Sequence, residues 1–186
     1  MILWGYVLIW YANGDNLSAV KKIALRKEAN SMYKHCDVSD EYISLHDCHA
    51  ESISYEDGVI RFVFPDGIWV TNEHPSNELD KIVRTDMAEV KFYLESDCED
   101  DITTYIFEQK LKKTFREEWE LSKLMDYVNN KKCRLEFLYE YKGYNSMIIE
   151  CWLWSSKKPY HRECELKLQI KGVNYCWNNL CENREW

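Results

Sequence analysis

The densest group of reactive side chains lies in the N-terminal third of the chain. Its members are His35, Cys36, His46, Asp47, Cys48 and His49. Side chains alternate between the two faces of an extended segment, so His46 and Cys48 share one face. Asp47 and His49 share the other. Imidazole nitrogen and thiolate sulfur are preferred zinc ligands, which makes His46 and Cys48 the candidate metal ligands.

Two chemistries are open to this segment. A zinc ion bound by His46 and Cys48 needs further ligands, which Cys164 or His161 could supply. A neighbouring histidine could instead activate the Cys48 thiol as a nucleophile. The spacing matches no known metal or thiol-hydrolase motif. The competing interpretation is a segment that enters a strand and whose His and Asp side chains bond to nearby backbone, with no catalytic residue and no cofactor.

An acidic stretch is the second candidate. It contains Glu95, Asp97, Glu99, Asp100 and Asp101. The stretch lacks the alternating oxygen ligands and the glycine of an EF-hand calcium loop. A solvated turn is the first interpretation, and a docking surface for a basic protein is the second. Together with His46, Asp47, His49 and Trp69, these acids are the binding residues that the sequence predicts.

Aromatic residues are dense, with 8 Trp, 13 Tyr and 6 Phe. Aromatic side chains favour half-buried pleated surfaces, so the excess argues first for β-structure. Four tryptophans could instead line a site for a carbohydrate or another small ligand: Trp69, Trp152, Trp154 and Trp177. The competing interpretation places these side chains in the core.

The net charge of the chain indicates which class of macromolecule it can bind. The chain has 32 acidic and 24 basic residues, which gives a net charge of −8. Nucleic-acid binding depends on a basic face that neutralises phosphates, so nucleic acid is not an expected partner. A basic protein reached by electrostatic steering fits this charge. Serine nucleophile elbows, P-loops, GxGxxG and HExxH are absent from the sequence, so we expect a binding protein rather than an enzyme.

The cysteines bear on the cellular compartment. They are Cys36, Cys48, Cys98, Cys133, Cys151, Cys164, Cys176 and Cys181. An even number suggests a disulfide framework only where a secretory signal is present, and no convincing signal is found here. We therefore expect a cytoplasmic protein with reduced thiols packed as small apolar side chains.

The first 31 residues differ from the rest. Residues 1–12 are uncharged and apolar but too short to cross a bilayer as a helix, so no membrane association is expected. Arg26–Ala29 can be encoded by codons that contain a bacterial ribosome-binding sequence ahead of Met32. Residues 1–31 are thus either an extension upstream of a native start at Met32 or an element packed on the domain. Residues 32–186 are expected to form a single domain.

Alternation with a period of two, or a short apolar run rich in β-branched and aromatic residues between turns, predicts the strands. The segments are Glu51–Tyr55, Val59–Phe64, Ile68–Thr71, Glu89–Glu95, Ile102–Phe107, Arg134–Tyr141, Met147–Trp154 and Glu163–Lys171. Their short connections favour antiparallel neighbours. We predict an α+β, mainly β fold, with an antiparallel sheet of about 7–8 strands arranged as a strongly curved sheet, open barrel or sandwich. Alternation also places Tyr139 and Tyr141 on the same face as Phe137.

One amphipathic helix is predicted at about 115–129, packed on the sheet. Thr114–Glu117 matches a capping box, in which a hydroxyl and a carboxylate satisfy amide donors at a helix start. Leu121, Leu124 and Val128 then recur at helical spacing. Asn129 and the asparagine that follows it are expected to end the helix.

A stretch of twenty residues, from Leu45 to Phe64, resembles a known pattern. It reads LHDCHAESI from Leu45 to Ile53 and continues through Gly58 to Ile60–Phe64. The pattern is similar to the opening of small bacterial domains in which an apolar-His-Asp element precedes a first hairpin. Some of these are immunity proteins of polymorphic toxin systems, and many have no assigned role. The resemblance implies a non-enzymatic protein that binds and blocks a toxin domain, with an acidic surface that suits a basic toxin such as a nuclease.

Overall fold

The computed structural model describes residues 33–39 and 41–185, so the predicted extension over residues 1–31 lies outside the described residues. The described chain contains 14 strands, one 3-10 turn at Glu99–Asp101 and one α-helix. The strands are β1 His35–Asp37, β2 Ile43–Ser44, β3 Cys48–Ala50, β4 Ser52–Glu56, β5 Val59–Phe64, β6 Trp69–Val70, β7 Val83–Thr85, β8 Ala88–Leu94, β9 Ile102–Lys110, β10 Lys113–Trp119, β11 Cys133–Lys142, β12 Ser146–Ser155, β13 His161–Trp177 and β14 Leu180–Glu185.

The strands form two antiparallel sheets. The large sheet follows the order β3-β11-β12-β13-β8-β5-β4, with β1 and β9 also paired to β13 and β10 paired to β9. The small sheet has the order β14-β7-β6-β2. The predicted α+β, mainly β class with antiparallel sheets and one helix is confirmed. The strands outnumber the prediction because strands of two or three residues, such as β2 and β7, are too short to show an alternation.

The large sheet curls on itself. Its first and last strands, β3 and β4, are consecutive in the chain and separated only by Glu51. One stretch of chain therefore pairs with β11 at one end of the sheet and with β5 at the other. The described strands do not close into a barrel. Inside the curl the Phe62 ring meets Phe92 and Phe137 edge-on, with centroids 5.8 and 5.2 Å apart.

Strand β13 is the centre of the large sheet. Its residues His161–Gln169 pair with β12, and Glu163–Leu168 pair with β9 on the other side. Farther along, Ile170–Cys176 pair with β8. Alternation along β13 buries Cys164, Leu166 and Leu168, as the sequence predicts. The residues between them therefore point to the outer face of the sheet.

Helix α1 spans Leu121–Asn129 and buries Leu121, Leu124 and Val128. Its end agrees with the prediction, but its start does not. Thr114–Glu117 lies in β10, and Glu120 precedes the helix without a side-chain capping bond. The capping-box pattern failed because Leu111 and Lys112 adopt positive φ and turn the chain, so that β10 pairs with β9 along its whole length.

The helix end fastens the edge of strand β4. The Ile53 amide donates to Asn129 Oδ1 at 2.8 Å, and Asn129 Nδ2 donates to the Ile53 carbonyl at 2.8 Å. The side-chain amide thus takes the place of a neighbouring strand. The described part of the chain contains no helix with the length and apolar character needed to span a bilayer.

A bulge in β11 reverses the predicted facing of its second half. The register with β12 shifts between Phe137 and Tyr139, so Leu138 is an extra residue. Beyond it Tyr139 and Tyr141 turn outward and are about half exposed. Glu140 turns inward, directly opposite Ile149. The predicted shared face of Phe137, Tyr139 and Tyr141 is therefore wrong, because simple alternation does not include an inserted residue.

One pair of cysteines departs from the predicted reduced state. Strand pairing sets Cys36 of β1 opposite Cys176 of β13, with Cα atoms 4.2 Å apart, and the two form a disulfide. The remaining cysteines are free thiols, and those that are buried are Cys48, Cys133, Cys151 and Cys164. The sequence does not predict this disulfide, because it depends on a contact between residues 140 positions apart.

Candidate functional site

The outer face of strands β11, β12 and β13 carries acidic and aromatic side chains side by side. We call this surface the acidic–aromatic face; its residues are Glu136, Glu150, Trp152, Trp154, His161, Glu163 and Glu165. Strand register fixes its order. Trp152 lies between Glu136 and Glu163 on the neighbouring strands, and Glu150 lies directly opposite Glu165.

Three rings pack together at one end of the face. The Trp152 and Trp154 ring centroids are 5.3 Å apart, and each lies 5.1 Å from the centroid of His161. Trp154 Nε1 donates to the Glu136 carboxylate at 2.5 Å, which holds the indole in place. The two indoles cross at 80°, so they do not form one flat stacking surface. The cluster offers ring faces and edges beside carboxylates.

Two glutamates occupy directly opposite positions on adjacent strands in the middle of the face. Glu150 and Glu165 are cross-strand partners, and directly opposed like charges are destabilising by roughly 0.2–1 kcal/mol. The Glu165 carboxylate lies 3.3 Å from Lys167 Nζ, a pair that partly compensates its charge. Glu163, which is exposed, is paired with Trp152 on one side and Phe107 on the other. Strand register therefore brings several acidic residues next to Trp152 on the outer face.

These residues border a shallow cleft of about 330 Å³. The residues that line it are Phe107, Leu138, Glu150, Cys151, Trp152, Glu163, Cys164 and Glu165. Leu138 is the bulged residue of β11, so the bulge places an apolar group on this outer surface. Aromatic faces attract cations, and carboxylates form charge-assisted bonds with ammonium and guanidinium groups. The cleft is therefore suited to a lysine or arginine side chain, whose apolar stem would contact Phe107 and Leu138.

The predicted segment around Cys48 is held as a structural turn. Asp47 has a positive φ of 57°, and its carbonyl accepts a bond from Arg84 Nη2 at 2.7 Å. The Arg84 guanidinium lies 4.4 Å above the Trp69 ring. Trp69 Nε1 in turn donates to the His46 carbonyl at 3.0 Å. Trp69 therefore belongs to this turn, rather than to a surface shared with the other predicted tryptophans.

The side chains of this segment do not converge on one point. Cys48 is fully buried, and burial raises the pKa of its thiol to about 12. His46 Nδ1 lies 3.2 Å from the Asp47 carboxylate. Of the predicted further ligands, Cys164 is buried on the inner face of β13, while His161 lies on the outer face. Among the described residues no three His, Cys, Asp or Glu side chains are placed to hold a metal ion.

His49 is the member of the segment that reaches the acidic–aromatic face. Its Nε2 lies 3.4 Å from Glu136 Oε1. Burial lowers the pKa of His49, which favours the neutral ring. A neutral His49 therefore adds no positive charge to this edge of the face.

The predicted acidic stretch forms a turn that satisfies part of its own charge. The Asp101 carboxylate accepts bonds from the Ser96 amide at 2.6 Å and from the Ser96 hydroxyl at 2.8 Å. Asp97 forms an ion pair with Lys171. Glu95, Glu99 and Asp100 remain exposed. The geometry matches the solvated turn, and the binding role of these acids stays a prediction.

Sequence reasoning missed most of the acidic–aromatic face. Alternation placed Glu165 on the water side of its strand, and the same period links Glu150, Trp152 and Trp154. What the sequence lacked was the register that sets β11, β12 and β13 side by side. The sequence suggested that Trp152 and Trp154 could line one ligand site together with Trp69 and Trp177. Trp177 is instead fully buried.

No family model matches this chain, and no curated protein or solved structure matches it. The fold and the site define an antiparallel α+β domain whose most distinctive surface combines carboxylates with aromatic rings.

Proposed function

We propose that this chain is a non-enzymatic protein-binding domain that receives a basic protein partner on its acidic–aromatic face. The observation that carries the proposal is the opposed pair Glu150 and Glu165 beside Trp152 in the cleft. Strand register places these two acidic residues directly opposite each other, and a cationic side chain bound there would offset their mutual repulsion. The net charge of −8 favours encounter with a basic partner.

The resemblance of Leu45–Phe64 to immunity proteins gives the partner a class. A basic toxin domain, such as a nuclease, has the charge that the face requires. Under this proposal the protein acts in the cytoplasm by covering the toxin, without nucleic-acid binding of its own. Arginine and aromatic side chains dominate the energy of many protein interfaces, and arginine from the partner would meet tryptophan here.

Oligolysine of twelve residues serves as a probe of the face, with oligoglutamate as the charge-reversed control. Isothermal titration at low salt should show binding of oligolysine alone. The double variant Glu150→Gln/Glu165→Gln should weaken binding at least tenfold, since one bond to a charged group is worth about 1.5–3 kcal/mol.

The matched control is Glu73→Gln/Glu78→Gln, which changes the net charge equally but in an exposed loop that carries no predicted binding residue. It should change oligolysine affinity less than twofold. Equal losses in both double variants would reduce the interaction to net charge and refute a binding role for the face.

A further inference from the structure

A second cleft opens where β9 and β13 separate. The two strands pair as far as Phe107 and Glu163. Beyond this point Glu108–Lys110 pair only with β10, and His161 and Arg162 pair only with β12. The resulting cleft of about 430 Å³ is bordered by Glu108–Lys110 and by Pro159–Glu163. Two strand edges of one sheet thus face each other across open space.

A side-chain pair takes the place of the missing ladder. Arg162 Nη1 lies 3.6 Å from Glu108 Oε1 across this separation. Strand edges carry backbone N–H and C=O groups that can pair with an added strand. An extended peptide is the kind of molecule that satisfies such edges, because it presents the same groups at the same spacing.

The two clefts adjoin at Phe107 and Glu163, which border both. From Phe107 to Lys110 the strand advances about 10 Å at about 3.3 Å per residue. From β9 to β11 the face crosses three strand spacings of about 4.8 Å, or about 14 Å. The combined path accommodates about seven extended residues.

We propose that the partner enters as an extended basic segment, which pairs with the separated edges of β9 and β13 and then crosses the acidic–aromatic face. This inference rests on the proposed function and specifies the form of the partner. Side chains of an extended segment alternate, so every second residue points outward. Basic residues at alternate positions would meet Glu163 first and the pair Glu150 and Glu165 next.

The probe is a fluorescent nonapeptide that alternates lysine and threonine, with its ends blocked. Its matched control has the same side chains but N-methyl groups on alternate backbone nitrogens, which removes hydrogen-bond donors without changing charge. Fluorescence anisotropy should show at least tenfold weaker binding of the methylated peptide. A three-residue version should bind at least tenfold more weakly as well, because it cannot span both clefts.

Protein variants locate the paired segment. Gln109→Arg places bulk and positive charge in the second cleft and should weaken nonapeptide binding at least fivefold. Gln169→Arg makes the same change on an exposed position of β13 outside both clefts and should leave the affinity within twofold.

The outcomes separate the two proposals. Equal binding of the methylated and unmethylated peptides would overturn strand pairing, while oligolysine binding that depends on Glu150 and Glu165 would leave the proposed function standing. Equal effects of Gln109→Arg and Gln169→Arg would also overturn the inference. If Glu150→Gln/Glu165→Gln binds both oligolysine and the nonapeptide as tightly as the native protein does, the proposed function itself is refuted.

Discussion

The turn around Cys48 and the acidic–aromatic face place their polar groups in opposite ways. The turn holds the residue types most associated with chemistry, yet its thiol is buried and its backbone is bonded to Arg84 and Trp69. The face holds common residue types, yet register sets two acidic residues directly opposite each other on the outer side of the sheet. The comparison teaches that reactive residue types such as Cys and His can have a purely structural role. A candidate binding surface is better recognised by adjacent charged side chains that do not stabilise the fold.

Thiol labelling gives the largest expected difference between the regions. With a pKa of about 12 instead of an ordinary 9.0, the Cys48 thiol has about a thousandfold less thiolate at neutral pH, and it is also shielded. Iodoacetamide should therefore label exposed Cys98 in the native protein and leave Cys48 unlabelled, as read by peptide mass spectrometry. Rapid labelling of native Cys48 would break the comparison by making the turn a nucleophilic site.

Glu140 is an inward-facing acidic residue whose charge acts on the Cys48 thiol. Burial raises the pKa of its carboxyl from 4.5 to about 7, and its Oε1 has no hydrogen-bond partner. The native protein thus binds this proton more tightly than the unfolded chain. The resulting stability is present below pH 4.5 and is lost as pH rises through about 7.

Glu140→Gln should remove this pH dependence. Between pH 5 and 8 the native protein should lose about 2.5 kcal/mol of unfolding free energy more than the variant. Urea titrations at the two pH values provide the measurement, and Glu118→Gln in exposed β10 is the control. Parallel stability curves for the native protein and Glu140→Gln would show that the inward carboxylate is solvated.

Arg84→Ala tests whether the turn is structural. Removing the guanidinium deletes the bond to the Asp47 carbonyl and the contact with Trp69, at a cost of about 2 kcal/mol in unfolding free energy. Oligolysine affinity of the folded protein should not change. Arg184→Ala, at a half-exposed position, should cost less than about 0.5 kcal/mol. A loss of binding without a loss of stability would place function in the turn.

Glu165→Gln gives the smallest expected change in stability and has the opposite sign. Relief of the repulsion with Glu150 should raise the unfolding free energy by about 0.5 kcal/mol while weakening oligolysine binding. Glu73→Gln, at an exposed loop position, should alter neither quantity by a measurable amount. If Glu165→Gln destabilises the protein, the ion pair between Glu165 and Lys167 stabilises the fold. The proposed contrast between the two regions would then be wrong.

The features that the sequence predicted are those set by local pattern. The helical stripe of Leu121, Leu124 and Val128 is buried as predicted, and so is the inward row that includes Cys164 and Leu166. Both follow from a period that neighbouring residues share. The general class of fold follows from the same patterns, without any knowledge of which strands are neighbours.

The features that the sequence could not supply depend on register. The bulge at Leu138 is an inserted residue with no special residue type, yet it decides whether Glu140 or Tyr139 enters the core. The capping-box pattern at Thr114 lost to the turn at Leu111, because pairing with β9 satisfies more backbone groups than a helix start does. The opposition of Glu150 and Glu165 exists only once β12 and β13 are aligned.

The central position of β13 also governs the order in which the protein can assemble. The strand begins at His161, yet it is the partner of β1, β8, β9 and β12. During synthesis the apolar rows of β8 and β9 therefore leave the ribosome long before the strand that pairs with them. Such non-local pairing slows folding and leaves unpaired edges exposed to aggregation. The large sheet can therefore be completed only after β13 has been synthesised, whatever order its other strands fold in.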